Sequence, residues 1–136
     1  MDGDAASVQQ ALSGGDVHEL LKVWEDFNSG ETWREVSATG SDQARAAAAQ
    51  FLAGVREVAA LEALRANAKA VELLTARRWY VIKSAREAGA TWAQIGEALG
   101  ISKQAAHDFY RRKIEEQEKH LPDLHDAAAA RAVMED

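Results

Sequence analysis

The chain has 136 residues, enough for one compact core or two small ones, and its 47% hydrophobic and 28% charged residues exclude a disordered, low-hydrophobicity chain. It contains no cysteine, which excludes disulfides, thiolate zinc centres and cysteine nucleophiles together. A formal net charge of -6 argues at first sight against a phosphate-rich partner.

The acidic stretch from Met1 to Ser7 lacks the basic-then-apolar order of a signal peptide. No apolar run approaches the ~20 residues of a membrane span, so a cytoplasmic protein without membrane contact is expected. One proline, Pro122, and the scarcity of β-branched runs predict an all-α fold. In chain order, a short helix is expected over Ala5 to Leu12, ended by Gly14 and Gly15. The next starts at Asp16, an N-cap with Glu19 three residues on. Its apolar stripe is Val17, Leu20, Leu21, Trp24 and Phe27, and Asn28-Ser29-Gly30 should stop it.

From Asp42 to about Leu74 the chain is rich in strong helix formers and predicts one long helix of about 45–50 Å. Phe51, Val55, Val58, Leu61, Leu64, Ala68 and Val71 recur at spacings of three and four along it. That stripe needs cover, either from the chain's own helices or from a second copy. A homodimer held by Phe51, Val55, Val58 and Leu61 is the second option.

A further amphipathic helix begins near Thr75, carries Trp79, Val81, Ile82 and Ala85, and ends at Gly89. Thr91-Trp92-Ala93-Gln94 then has the spacing of a capping box, with Ile95 and Leu99 facing inward from the short helix it opens. Gly100 falls where a sharp turn requires positive φ, Ile101 should plug the corner, and Ser102 caps the next helix. Gly96 costs about 1 kcal/mol in mid-helix, so a close approach is expected there. Projection of the last of these helices at 100° per residue puts Ser102, Ala105, Ala106, Phe109 and Lys113 on one side. The other side carries Lys103, Gln104, His107 and Arg111, with Asp108 and Tyr110 on the flanks. From Arg77 to Lys113 eight cations face three acids, a formal +5, which leaves -11 for the rest of the chain. A basic block inside an acidic chain is the electrostatic footprint of a DNA-facing segment, or else a solvated charged surface.

The run Thr91-Trp92-Ala93-Gln94-Ile95-Gly96-Glu97-Ala98-Leu99-Gly100-Ile101-Ser102-Lys103-Gln104-Ala105-Ala106 resembles the bacterial helix-turn-helix family. It is similar in particular to the tri-helical domains of small actinobacterial and mobile-element regulators. The resemblance covers roughly residues 75–115. It implies major-groove reading by Ser102, Lys103, Gln104, His107, Asp108 and Arg111, and phosphate contacts by Thr91, Trp92 and Arg112. The chemistry is compatible: Gln104 matches the N6 and N7 edge of adenine, and Lys103 or Arg111 the O6 and N7 edge of guanine. Asp108 departs from the pattern, since a carboxylate near the DNA backbone is repelled unless it accepts from cytosine N4.

Gly30-Glu31-Thr32-Trp33-Arg34-Glu35-Val36-Ser37 weakly echoes Gly89 to Gly96, and Gly40 to Ala44 echoes Gly100 to Ala105. The echo is either a tandem DNA-reading unit or a repeated capping and turn solution, and the second suits Asp42 better. The tail reads as a last helix, with Pro122 in its first turn followed by Leu124 and Ala127 to Met134. His18, His107, His120 and His125 form no i, i+4 pair, and Glu115, Glu116 and Glu118 read as solvated acids. Neither a metal, a cofactor nor a catalytic centre is expected.

The expected organisation is an N-terminal helical region over residues 1–73, a helix-turn-helix domain over 74–120 and a C-terminal helix over 121–136. The expected function is sequence-specific binding of double-stranded DNA by a homodimeric transcriptional regulator. The alternative is an all-helical interaction module, adaptor or antitoxin-like, whose acidic N-terminal half takes a protein partner.

Overall fold

A computed structural model describes residues 2–121 and 126–135. The fold is all-α, and among the described residues it contains no strand. In chain order the helices are α1 (Asp2–Ser13), α2 (Val17–Thr39), α3 (Asp42–Gly54), α4 (Ala60–Ala76), α5 (Arg78–Glu87), α6 (Trp92–Leu99), α7 (Lys103–His120) and α8 (Ala127–Ala132). The expected start of the last helix at Pro122 and Leu124 lies outside the described residues. Among the described residues no helix is long and apolar enough to cross a membrane. The chain divides into two compact units, Met1–Leu74 and Thr75–Asp136.

In the first unit, Val8 and Ala11 of α1, Leu20 and Val23 of α2, and Ala63, Ala66 and Ala70 of α4 make the core, with Val58 between α3 and α4. Trp24, Phe27 and Leu73 pack against it. The inner face of α4 contributes only alanines, so the larger side chains of that core come from α1, α2 and Val58.

Two helix boundaries differ from the sequence expectation. The helix starting after Asp16 does not stop at Asn28-Ser29-Gly30 but runs 23 residues to Thr39. Asn28 donates its side-chain amide to the Trp24 carbonyl at 2.8 Å, and the Thr32 hydroxyl donates to the Asn28 carbonyl at 3.1 Å. Both side chains thus bond back along the helix instead of competing with it. Gly30 is buried, and α2 packs along α3, where Trp33 stacks on Phe51 with ring centroids 5.3 Å apart. The capping box that the echo suggests at Thr32 is absent, because Thr32 lies mid-helix, whereas Ser41 does cap α3 by accepting from the Ala44 N–H at 3.3 Å.

The long helix expected over residues 42–74 is interrupted at residues 55–59. Local propensity loses there to tertiary hydrogen bonding. The Glu57 N–H donates to the Asp4 carboxylate at 3.1 Å, and the Ala59 N–H donates to the Glu62 carboxylate at 2.9 Å. Arg56 pairs with Asp26 at 3.0 Å and donates to the Ser7 hydroxyl at 3.2 Å. The hydrogen bond from Glu57 is the main reason that the Asp4 carboxyl lies below its ordinary pKa.

Four residues expected to form one dimer face are therefore dispersed. Phe51 ends on the Trp33 ring, Val55 caps α3, Leu61 starts α4, and Val58 is only 5% exposed. Val58 is a core residue, unavailable to a partner.

Candidate nucleic-acid interface

The second unit is built around Trp79 and Ile82 of α5, Trp92 and Ile95 of α6, Ala106, Tyr110 and Ile114 of α7, and Ala130 of α8. Its local architecture follows the sequence closely from Thr91 onward. The Thr91 N–H donates to the Gln94 side chain at 2.8 Å while the Gln94 N–H donates to the Thr91 hydroxyl at 3.1 Å, so the capping box is closed in both directions. Gly100 has φ +70°, the left-handed conformation that ends α6. The Ser102 hydroxyl accepts from the Ala105 N–H at 3.0 Å and starts α7. α6 and α7 are thus separated by three residues, and Gly96 lies against that turn rather than against the middle of a facing helix.

The inner side of α7 is fixed by aromatic contacts. Trp92 meets Tyr110 at 5.6 Å and His107 at 5.0 Å between ring centroids, the latter edge to face. The Tyr110 hydroxyl donates to the Ala130 carbonyl at 2.6 Å. Burial pushes this phenol up to about pKa 12.

The outer side presents Lys103, Gln104, Arg111 and Arg112, all exposed, with Asp108 half-buried between them. Asp108 accepts from the Gln104 side-chain amide at 3.0 Å and pairs with Arg111 at 3.5 Å. These are i, i+4 and i, i+3 neighbours on one helix face, so the acid steadies the two side chains best suited to base edges. Asp108 is anomalous as a DNA contact but intelligible as their anchor, and its spacing to Gln104 and Arg111 was the sequence signal for it.

Two of the expected site residues have other occupations. Trp92 is 1% exposed, and its ring lies in the core where it cannot rest on a phosphate. His107 is half-buried, and its Nε2 lies 3.2 Å from the Met134 carbonyl, placing it under the C-terminal segment at the margin of the exposed face. Ser102 and Thr91 use their hydroxyls as caps but remain exposed. Ile101, expected to plug the corner, is 42% exposed.

The basic block is also thinner at this face than its count suggests. Arg86 turns inward and donates to the carbonyls of Val133 and Ala90, at 2.8 and 2.9 Å, and to that of Glu135. Its guanidinium also lies over the Trp92 ring. Lys83 pairs with Glu87, Lys113 with Glu116, and Arg78 lies over Phe109. Further along α7 the exposed residues Glu115 and Glu116 carry the opposite sign, which confines an anion-compatible surface to the first turns. No known protein family, characterised protein or solved structure matches the chain.

Proposed function

We propose that the second unit binds double-stranded DNA, laying the first turns of α7 in the major groove, and that the protein acts as a homodimeric transcriptional regulator without catalytic activity. The observation carrying this reading is the pair of exposed side chains Gln104 and Arg111, both held by the half-buried Asp108 on a helix whose opposite side is anchored by Trp92 and Tyr110. Gln104 keeps a second amide hydrogen and its carbonyl for a base edge while bonded to Asp108. Lys103 stands one residue before Gln104, and Arg112 is exposed on the flank for phosphate. One such helix reads only a few base pairs, so two related by symmetry, reading half-sites about 34 Å apart, supply useful specificity.

A protein-interaction module is the competing reading. Its support is an apolar cleft of about 130 Å³ lined by Val81, Ile82, Ala85, Ile95 and Leu99. Selection from a random duplex library, followed by anisotropy titration against salt, decides between them. DNA binding predicts an enriched site and a slope of log K against log salt of about -0.9 for each phosphate contacted. A folded sample that enriches no sequence and binds no duplex at low salt overturns the proposal.

A further inference from the structure

The outward face of α4 carries an apolar stripe that the first unit's core does not use. Leu61, Leu64 and Leu74 are 65%, 57% and 57% exposed, and Ala68 and Val71 are exposed between them. Leu61, Leu64, Ala68 and Val71 follow one another at spacings of three, four and three, the a and d positions of a heptad. The inner residues Ala63, Ala66 and Ala70 lie on the opposite side of the same helix. Only three or four turns are involved, but the seam is continuous.

The charged residues of α4 divide in the same way. Glu62 accepts from the Ala59 N–H, and Lys69 donates to the Leu12 carbonyl at 2.8 Å, so both serve the first unit itself. Arg65 and Glu72 are exposed, flank the stripe at successive e positions, and have no ion-pair partner within the described residues. They stand three residues before and four residues after Ala68, the midpoint of α4.

We propose that α4 pairs with α4 of a second copy as a short antiparallel coiled coil, with Leu61, Leu64, Ala68 and Val71 in the seam and Arg65 beside Glu72 of the partner subunit. Antiparallel pairing that sets Ala68 against Val71 of the partner subunit overlaps α4 along most of its length and makes the Arg65–Glu72 pair twice by symmetry. Parallel pairing sets e against g, where Ala60, Asn67 and Leu74 offer Arg65 and Glu72 no opposite charge. Ala68 at the centre lets the helices approach closely. The seam buries on the order of 1,000 Å², the low end for a specific interface, so association in the micromolar range is expected. This surface gives the dimer of the proposed function its location. It is tested without DNA, so either reading can fail alone.

Sedimentation equilibrium over micromolar concentrations should show self-association from 14.8 kDa to twice that mass. Leu64→Glu should yield a monomer of unchanged helicity, because the side chain it replaces is exposed. Arg65→Glu should weaken the dimer roughly tenfold, and adding Glu72→Arg should restore it. A monomer at every concentration overturns the proposal, as does a dimer indifferent to Leu64→Glu or a double charge swap no better than the single one.

Discussion

Gly96 and Ile101 touch through their backbones: the Ile101 N–H donates to the Gly96 carbonyl at 2.9 Å, and a Cβ on Gly96 would meet the Ile101 carbonyl oxygen at 2.8 Å. The Ser102 carbonyl carbon and Lys103 nitrogen would lie 3.0 Å from the same Cβ. All three are main-chain atoms, so none can swing aside. Helix propensity alone favours Gly96→Ala by about 1 kcal/mol. Crowding of this kind costs about 1–3 kcal/mol, and the turn it distorts also sets the start of α7. We expect net destabilisation in urea unfolding, and an unchanged or raised midpoint would show that the turn yields freely.

The Tyr110 phenol should set the alkaline limit of the second unit. Its folded pKa, about 12, stands above the ordinary value of 10.0 because burial disfavours the phenolate. Its contribution is therefore complete below pH 10 and is lost as the pH rises toward 12. Tyr110→Phe should remove that alkaline dependence. It should also cost about 1 kcal/mol at neutral pH, since the Ala130 carbonyl loses its donor. An identical high-pH unfolding profile for both proteins would refute this assignment.

Arg86 predicts a separate behaviour for the C-terminal segment. Arg86→Met removes the donors to the Val133, Ala90 and Glu135 carbonyls and should accelerate amide exchange at Met134, at a stability cost of about 2 kcal/mol. Arg86→Lys should not rescue it, because a single ammonium cannot span three acceptors fixed by a planar fork. Wild-type exchange in the lysine variant would count against the clamp.

For DNA, removal of Asp108 should have opposite effects on affinity and on discrimination. Asp108→Ala deletes a repulsive charge and should tighten binding to random duplex, while freeing Gln104 and Arg111 should blur the preferred site. Gln104→Ala should lose roughly 1–3 kcal/mol of discrimination at one base pair. Arg112→Ala should weaken all sequences alike and reduce the salt slope by about 0.9. Equal loss of affinity and specificity in Asp108→Ala would contradict its role as anchor.

What the sequence disclosed was whatever short-range chemistry decides. The Thr91–Gln94 box, the positive φ of Gly100 and the Ser102 cap depend on residues within a few positions of one another, and all are present. The break at residues 55–59 depends on Asp4 and Asp26, some fifty and thirty residues away, so a window of strong helix formers could not reveal it. Projection placed Gln104 and Arg111 outward, as they are, but put the exposed Ser102 and Ala105 inward and the buried Tyr110 on a flank, and it missed that the C-terminal segment reaches His107. Trp92 was ambiguous because a residue just after an N-cap can point to either side, and only the aromatic neighbours Tyr110 and His107 decide which.

The tryptophans divide evenly between the two units, Trp24 and Trp33 in the first and Trp79 and Trp92 in the second. Their emission is consequently a mixed signal, and a single melting curve read from it sums two optical reporters with different surroundings. Trp24 packs against the first unit's core and Trp33 lies on Phe51, whereas Trp92 sits beside Tyr110 and beneath Arg86. Replacing one pair by phenylalanine leaves fluorescence that reports on the other unit alone.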